Sequence, residues 1–183
     1  MASLLTESRA TQGYDRVQIT LHWLTAALVV LAIGFIWAAD LAGRELHNTL
    51  FFIHRSFGMT IFVVAACRLA WRATHPAPAP PDTIPAWQRF AATAAHWLLY
   101  VLLIVMPITG FIASAARGHA VTWFFLFDVP ALPQNKPLAE LAHTIHVTLQ
   151  WAIYGLVTLH AGAALRHHFV IKDGVLRRML PRA

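Results

Sequence analysis

Charged residues, acidic ones above all, and cysteine are scarce in this sequence. Only 12% of its 183 residues are charged, with eight Asp or Glu against fourteen Lys or Arg. A soluble domain of this size needs far more charged surface to stay in solution. The single cysteine, Cys67, lies inside an apolar run and excludes an intramolecular disulfide. The composition therefore argues against both a soluble globular domain and a disulfide-stabilised one.

Apolar residues, by contrast, make up 58% of the chain and are concentrated in long runs. There are four such runs, at residues 17–39, 50–71, 90–116 and 141–165. Because a bilayer core of about 30 Å needs about 20 helical residues, each run is long enough to span it. We therefore predict an all-α integral membrane four-helix bundle, a single transmembrane domain over residues 1–183. The polar lead before the first run contains Glu7 and Asp15, which argues against a cleaved signal peptide.

The positive charges lie in the short segments between the apolar runs. A formal charge of +6 and a pI near 10.5 can indicate nucleic-acid binding, but this placement is typical of membrane topology instead. The side that holds both termini, called side A, carries Arg9, Arg16, Arg68, Arg72, Arg89, Arg166, Lys172, Arg177, Arg178 and Arg182. The opposite side, side B, carries Arg44, Arg55, Arg117 and Lys136. We therefore predict a membrane protein with both termini in the cytoplasm, in contact with lipid and not with nucleic acid.

Two connections and one proline have predictable local structure. The proline-rich segment 75–85 on side A should be an extended, semi-rigid connector. On side B, residues 117–140 form the longest connection, and its aromatic cluster at 123–127 should anchor at the membrane interface. Pro107, inside the third run, should kink that helix.

The histidines are the main functional signal, because an ionisable group in hydrocarbon is costly and is usually retained for function. The chain has eleven of them. In the fourth run His146, Ile153, His160 and His167 follow one another at intervals of seven residues, so they lie on one stripe of the helix. His146 and His160 are then about 21 Å apart along the helix axis. This distance is too long for one metal ion and suits two cofactors at two depths.

Each histidine of the stripe needs a partner at its own depth on another helix. On side B the candidate is His54, which pairs with His146. On side A it is His22, which pairs with His160, with His96 as a competitor at similar depth. Two imidazoles that face each other across a bundle core are the axial ligands of a b-type haem. Filled axial positions favour electron transfer over oxygen binding, so the pattern predicts two electron-transferring haems.

Other interpretations of the histidines are less favoured. Structural zinc needs about four ligands in one cluster, which two distant pairs do not provide. Without a Cys-x-x-Cys-His motif, a haem is not covalently attached. Gly58 and Gly162 lie near ligand candidates and would let a flat cofactor approach the backbone. For the loop and interface histidines, simple hydrogen bonding is the favoured interpretation: His47, His75, His119, His143 and His168.

From about Tyr14 to Arg182 the chain resembles the bacterial cytochrome b561 family, in particular its small two-haem members that oxidise superoxide. The matching segments occur in order on all four runs. They are Gln18-Ile-Thr-Leu-His22-Trp23, Ile53-His54-Arg-Ser-Phe-Gly58, Arg68-Leu-Ala-Trp-Arg72, His96-Trp-Leu-Leu-Tyr100, Met106-Pro-Ile-Thr-Gly110, Ile145-His146, His160-Ala-Gly-Ala-Ala-Leu-Arg-His167 and the tail 172–181. The resemblance implies the same four ligands: His22 and His160 for the inner haem, His54 and His146 for the outer haem.

The resemblance also implies a location in the bacterial inner membrane, an activity and two further sites. His167 would lie near ubiquinone on the cytoplasmic side, and Arg117-Gly118 near the outward access route for superoxide. Electrons from superoxide would pass to the outer haem, then to the inner haem, and reduce ubiquinone. One departure concerns charge, because the four basic residues of side B are matched in number by Asp40, Glu45, Asp128 and Glu140. Attraction of an anion would then depend on a local arrangement of arginines.

Three functions are compatible with these features. The first is a superoxide:ubiquinone oxidoreductase, which the resemblance favours. The second is a cytochrome b subunit that serves a respiratory dehydrogenase or hydrogenase and therefore has a redox partner protein. The third is a non-redox membrane protein with structural histidines, which the two ligand pairs disfavour. The short chain, with no extramembrane domain for docking, favours the first over the second.

Overall fold

The computed structural model describes residues 13–79, 84–118 and 120–180, which form a bundle of four long helices. In chain order they are α1 (Arg16–Leu41), α2 (Arg44–Thr74), α3 (Ala86–Ala115) and α4 (Lys136–Arg166). A short hairpin of β1 (Val121–Trp123) and β2 (Phe127–Val129) lies between α3 and α4, and a π-helical turn (His167–Ile171) and a 3-10 turn (Leu176–Met179) follow α4. Arg9, His119, Arg182 and residues 80–83 of the proline-rich segment lie outside the described residues.

Three of the four helices are both long and apolar enough to cross a membrane: α1, α2 and α3. Each predicted run lies within one of the four helices apart from Ala116, and the all-α membrane bundle is confirmed. Helix α4 has the length but not the apolar composition, because His143, His146, Gln150 and His160 interrupt it. Its passage through the bilayer stays a prediction.

Polar caps set where the first and last helices begin. The Asp15 carboxylate accepts a hydrogen bond from the Gln18 backbone N–H at 2.8 Å, and the Gln18 side chain accepts one from the Asp15 N–H at 3.3 Å. This reciprocal pair is a capping box. Helix α4 begins where the Asn135 side chain accepts a hydrogen bond from the Leu138 N–H at 3.0 Å. Between α1 and α2 only residues 42–43 intervene, so these two helices pack as antiparallel neighbours.

The centre of the bundle is built from small and branched apolar side chains. Its buried cluster comprises Leu28, Ala32, Ile61, Ala65 and Leu103, from α1, α2 and α3. Alanines at such contacts allow helix backbones to approach closely, which is the usual packing mode in membranes. Large apolar side chains also cover the outside of every helix, including Val30, Val63, Phe90 and Leu159. An apolar exterior of this kind is suited to lipid and not to water.

The connection between α3 and α4 differs from the expectation of a surface anchor alone. Phe124 and Phe125, at φ 44° and 60°, form the turn of the β1–β2 hairpin. The hairpin is attached to α2, because the Phe124 N–H donates to Ser56 Oγ at 3.1 Å and Trp123 Nε1 donates to Thr60 Oγ1 at 3.0 Å. Residues 125–127 at its tip remain exposed. The aromatic cluster therefore packs on α2 and still leaves an apolar tip for the interface.

The chain after α4 folds back over side A. Lys172 and Gly174 adopt positive φ values of 59° and 78°, which reverse its direction. Trp23 Nε1 of α1 then donates to the Met179 carbonyl at 2.7 Å, and an Arg178 guanidinium nitrogen donates to the Ala79 carbonyl at 2.9 Å. The tail is thus held against the ends of α1 and α2.

Candidate haem-binding sites

On side B, the structure brings the rings of His54 of α2 and His146 of α4 opposite each other. Their ring centroids are 6.3 Å apart and their planes are nearly perpendicular, at 87°. With metal–nitrogen bonds of about 2 Å, two axial imidazoles on one metal place their centroids about 6 Å apart. The spacing of this predicted pair therefore fits one iron between them.

The orientation of both rings is fixed by backbone carbonyls of neighbouring helices. His54 Nδ1 lies 2.8 Å from the Ala32 carbonyl oxygen, and His146 Nδ1 lies 2.9 Å from the Met106 carbonyl oxygen. Since a carbonyl oxygen only accepts, each Nδ1 carries a proton and donates it, which leaves Nε2 as the free lone pair. Histidines that bind metals are commonly held in this way, and the bond also raises the basicity of the ligand.

A cavity of about 200 Å³, partly open to the surroundings, lies beside these two histidines. Gly58 and Gly110 line it, and nothing lies within 4 Å of where a Cβ of Gly58 would be. At Gly110 an added Cβ would meet His146 Cε1 at 3.0 Å. One glycine thus leaves room in the cavity, and the other gives room to the ligand ring.

Arg117, predicted near the outward access route, lies at the side B end of α3 and lines the same cavity. One of its guanidinium nitrogens donates to the Ala113 carbonyl at 2.6 Å. His143 also lines the cavity but lies one turn from His146 towards side B. The structure therefore places a positive charge in the lining of the cavity that the histidine pair shares.

On side A, three histidines meet instead of two. The ring centroid of His160 lies 6.1 Å from that of His22 and 5.3 Å from that of His96. The longer distance is the closer match to a bis-imidazole metal site, but both candidates are within reach. No group of three or more His, Cys, Asp or Glu side chains in the described part of the chain is arranged to hold a metal ion directly. In the structure, as in the sequence, both His22 and His96 therefore remain candidates to pair with His160.

Arg68 makes the inner cluster different from the outer one. Its guanidinium donates to His22 Nδ1 at 2.9 Å and lies over the Tyr100 ring at 5.1 Å. Because arginine only donates, this bond leaves the His22 proton on Nε2. For His22 to bind iron through Nε2, the proton has to move to Nδ1 and Arg68 has to turn away. Sequence reasoning did not assign Arg68 a role, although it appears in the Arg68–Arg72 segment of the family resemblance.

His167, one heptad beyond His160, has a partner that sequence reasoning missed. Its Nδ1 donates to Asp173 Oδ2 at 2.5 Å, and the two side chains are only 17% and 10% exposed. Asp173 Oδ1 in turn accepts from the Val175 N–H at 3.1 Å. The positive φ of Lys172 returns the chain so that Asp173 reaches His167. The signal was present in the tail motif, but the chain reversal that creates the contact was not predictable from it.

Comparison with known proteins agrees with this architecture. The profile of the prokaryotic cytochrome b561 family matches residues 13–182. The chain belongs to this family. It is 33% identical over 176 residues to cytochrome b561 homolog 2 of Escherichia coli K12, covering 94% of this chain and 93% of that protein. It is 34% identical over 178 residues to cytochrome b561 homolog 1 of the same organism, covering 92% and 97%.

A third relative, from Yersinia pestis, bears the name "Probable superoxide oxidase CybB". It is 33% identical over 169 residues, covering 92% of this chain and 96% of that protein. The cytochrome b561 family binds b-type haem and transfers electrons in membranes, so the predicted family, cofactor type and class of function are confirmed.

Proposed function

We propose that this cytochrome b561 holds two b-type haems, takes electrons from superoxide on side B and delivers them to ubiquinone on side A. The observation that carries the proposal is that α4 presents His146 and His160, fourteen residues apart, each within about 6 Å of a histidine on another helix. A helix that contributes to two such clusters supports a path for electrons between the two faces of the bundle.

The protein side of electron transfer consists of holding the histidine rings still. A b-type haem supplies a reversible one-electron iron couple when bound. The Ala32 and Met106 carbonyls fix the His54 and His146 rings, so little rearrangement accompanies a change of charge. The two histidines of each pair would hold the haem iron between them, so the substrates would exchange electrons with the haem without binding to its iron.

On side B, the donor is a small anion. Arg117 and Arg55 line the cavity at this end and supply positive charge, which raises the rate at which superoxide approaches. The name of the Yersinia pestis relative supports this choice of donor. The reaction balances when two superoxide ions each lose one electron to give oxygen, and one ubiquinone takes both electrons with two protons to give ubiquinol.

On side A, the protons need a donor near the quinone. The His167–Asp173 pair lies in the tail beyond α4, with His167 Nδ1 bound to the carboxylate and Nε2 directed elsewhere. An imidazole ring can take up and release a proton, which suits His167 to this role. The excess of basic residues on side A supports a cytoplasmic location for both termini in a bacterial inner membrane.

The test is a spectroscopic assay on the purified protein. We expect two haems per chain with low-spin bis-histidine spectra, rapid reduction of both by superoxide, and reoxidation by added ubiquinone. A ratio of one haem per chain or a five-coordinate spectrum contradicts the two ligand pairs. If superoxide fails to reduce the haems while a co-purifying dehydrogenase does, the protein is instead a cytochrome b subunit of a respiratory complex.

A further inference from the structure

The side B cavity combines an apolar lining with an unbalanced positive charge. Most of its lining is aliphatic or aromatic, from all four helices. Two arginines, Arg55 and Arg117, also line it, whereas none of the described residues that line it is Asp or Glu. The chemistry of the lining therefore fits an occupant that is mainly apolar and carries a negative charge.

Arg55 is the side chain of this cavity that has a buried hydrogen-bond donor without a partner in the described part of the chain. Its Nε is buried and has no hydrogen-bond partner among the described residues. Its guanidinium lies over the Phe51 ring at 5.2 Å, and no carboxylate of the described chain lies within ion-pair distance of it. A buried donor without a partner is costly. Such a side chain is suited to a ligand that brings the missing acceptor.

Arg117 provides the internal comparison. It lines the same cavity, but one of its guanidinium nitrogens already donates to the Ala113 carbonyl at 2.6 Å. Arg55 is also the residue directly after His54 on α2, so its backbone is fixed next to a predicted axial ligand. Of the two arginines, Arg55 is therefore the one placed to bind a group attached to whatever His54 holds.

We propose that Arg55 anchors a carboxylate of the haem held by His54 and His146. The inference rests on the proposed outer haem site, and it adds to that site a residue that holds the cofactor by its acidic substituent. A b-type haem is an apolar ring that carries two propionates, which matches the apolar, acid-free lining. A guanidinium binds a carboxylate by charge-assisted and often bidentate hydrogen bonds, so the contact also fixes orientation.

The first experiment measures how fast the full-length protein in detergent loses haem to excess apomyoglobin. Arg55→Gln should release the outer haem at least about tenfold faster than wild type, the effect usual for a residue that supports a metal site. Arg55→Lys, which keeps the charge, should fall between them. Arg44→Gln should stay within about twofold of wild type, because this exposed arginine of α2 does not line the cavity. The inner haem is the folding control, and its release should be unchanged in all three variants.

The second experiment identifies the group that Arg55 contacts. Full-length protein from cells that do not make haem is loaded with haem or with haem dimethyl ester, whose propionates are uncharged. Wild type should retain haem at least about tenfold better than the ester in the outer site. Arg55→Gln should retain the two equally, because the charge that distinguishes them is gone.

Three results overturn the proposal. The first is unchanged outer-haem release in Arg55→Gln, and the second is a preference for haem over its ester that survives in this variant. The third is a His54→Ala variant that loses no haem, which removes the outer site itself. None of these measurements uses superoxide or quinone. If they come out as expected and superoxide still fails to reduce the haems, the carboxylate anchor stands and the proposed donor is wrong.

Discussion

Replacing Gly110 with alanine tests the outer site with the smallest possible change. The added Cβ would lie 3.0 Å from His146 Cε1 and 3.2 Å from His146 Nδ1. Carbon atoms in contact prefer about 3.5–4.0 Å, so the ring has to withdraw by about 0.5 Å. The hydrogen bond from His146 Nδ1 to the Met106 carbonyl is 2.9 Å long, and the same displacement takes it beyond the usual limit of about 3.2 Å.

The expected effect is confined to the cofactor. Loss of a supporting contact to a metal ligand lowers metal affinity by about 10–100-fold, which corresponds to about 1.4–2.8 kcal/mol. The helix itself should gain, because alanine in a helix interior is more favourable than glycine by about 0.5–1 kcal/mol. We therefore expect Gly110→Ala to fold normally, keep the inner haem and release the outer haem about 10–100-fold faster.

The assay is transfer of haem to apomyoglobin, followed in reduced-minus-oxidised spectra. Gly155→Ala is the matched control, since it adds the same methyl group to α4 with nothing within 4 Å of the new Cβ. Unchanged outer-haem release in Gly110→Ala would mean that the His146 ring does not lie against Gly110 or does not bind iron. Equal loss in the control would mean that the effect comes from the bundle and not from the ring.

Two further predictions concern side A. His22→Ala should remove one haem while His96→Ala leaves both, since the His22–His160 spacing of 6.1 Å is the better match to one iron. Pyridine haemochrome quantification measures the number of haems per chain. The opposite result would mean that the ligand is His96 of α3. Asp173→Asn should slow ubiquinone reduction about as much as His167→Ala, with haem content and reduction by superoxide unchanged, because the amide no longer holds His167 Nδ1 as a carboxylate does. Stopped-flow reoxidation measures this step, and an Asp173→Asn rate equal to wild type rules out a role for the pair.

The helices and the depth of each histidine were predictable because both depend only on the positions of residues along the sequence. Run length against bilayer thickness gives the helices, and a fixed rise per residue gives the depths. This reasoning placed His54 opposite His146 and His22 near His160, as the structure has them. It left His96 as a competitor, and the structure leaves it beside His160 as well.

The contacts that orient the ligands were not predictable in the same way. The acceptors of His54 and His146 are main-chain carbonyls of Ala32 and Met106, and every residue offers such a carbonyl. Which one is used depends on the rotation of α1 and α3 about their axes, and no side-chain pattern reports that rotation. Asp173 is similar, because its contact with His167 depends on the left-handed backbone at Lys172.

In helix α4, the histidines proposed for function lower the apolar composition by which a membrane-spanning helix is recognised. The seven-residue interval that brings His146 and His160 onto one face also puts polar side chains inside the predicted span. Of the four described helices, α4 alone therefore falls short of the apolar composition of a membrane helix. In the bundle this weakness is offset, because the polar atoms of His146 are turned inward to the Met106 carbonyl, with Thr109 Oγ1 at 3.3 Å. A polar group that is hydrogen-bonded inside the protein is not exposed to lipid. The low apolar character of α4 is therefore the expected property of a helix that serves the two proposed haem sites.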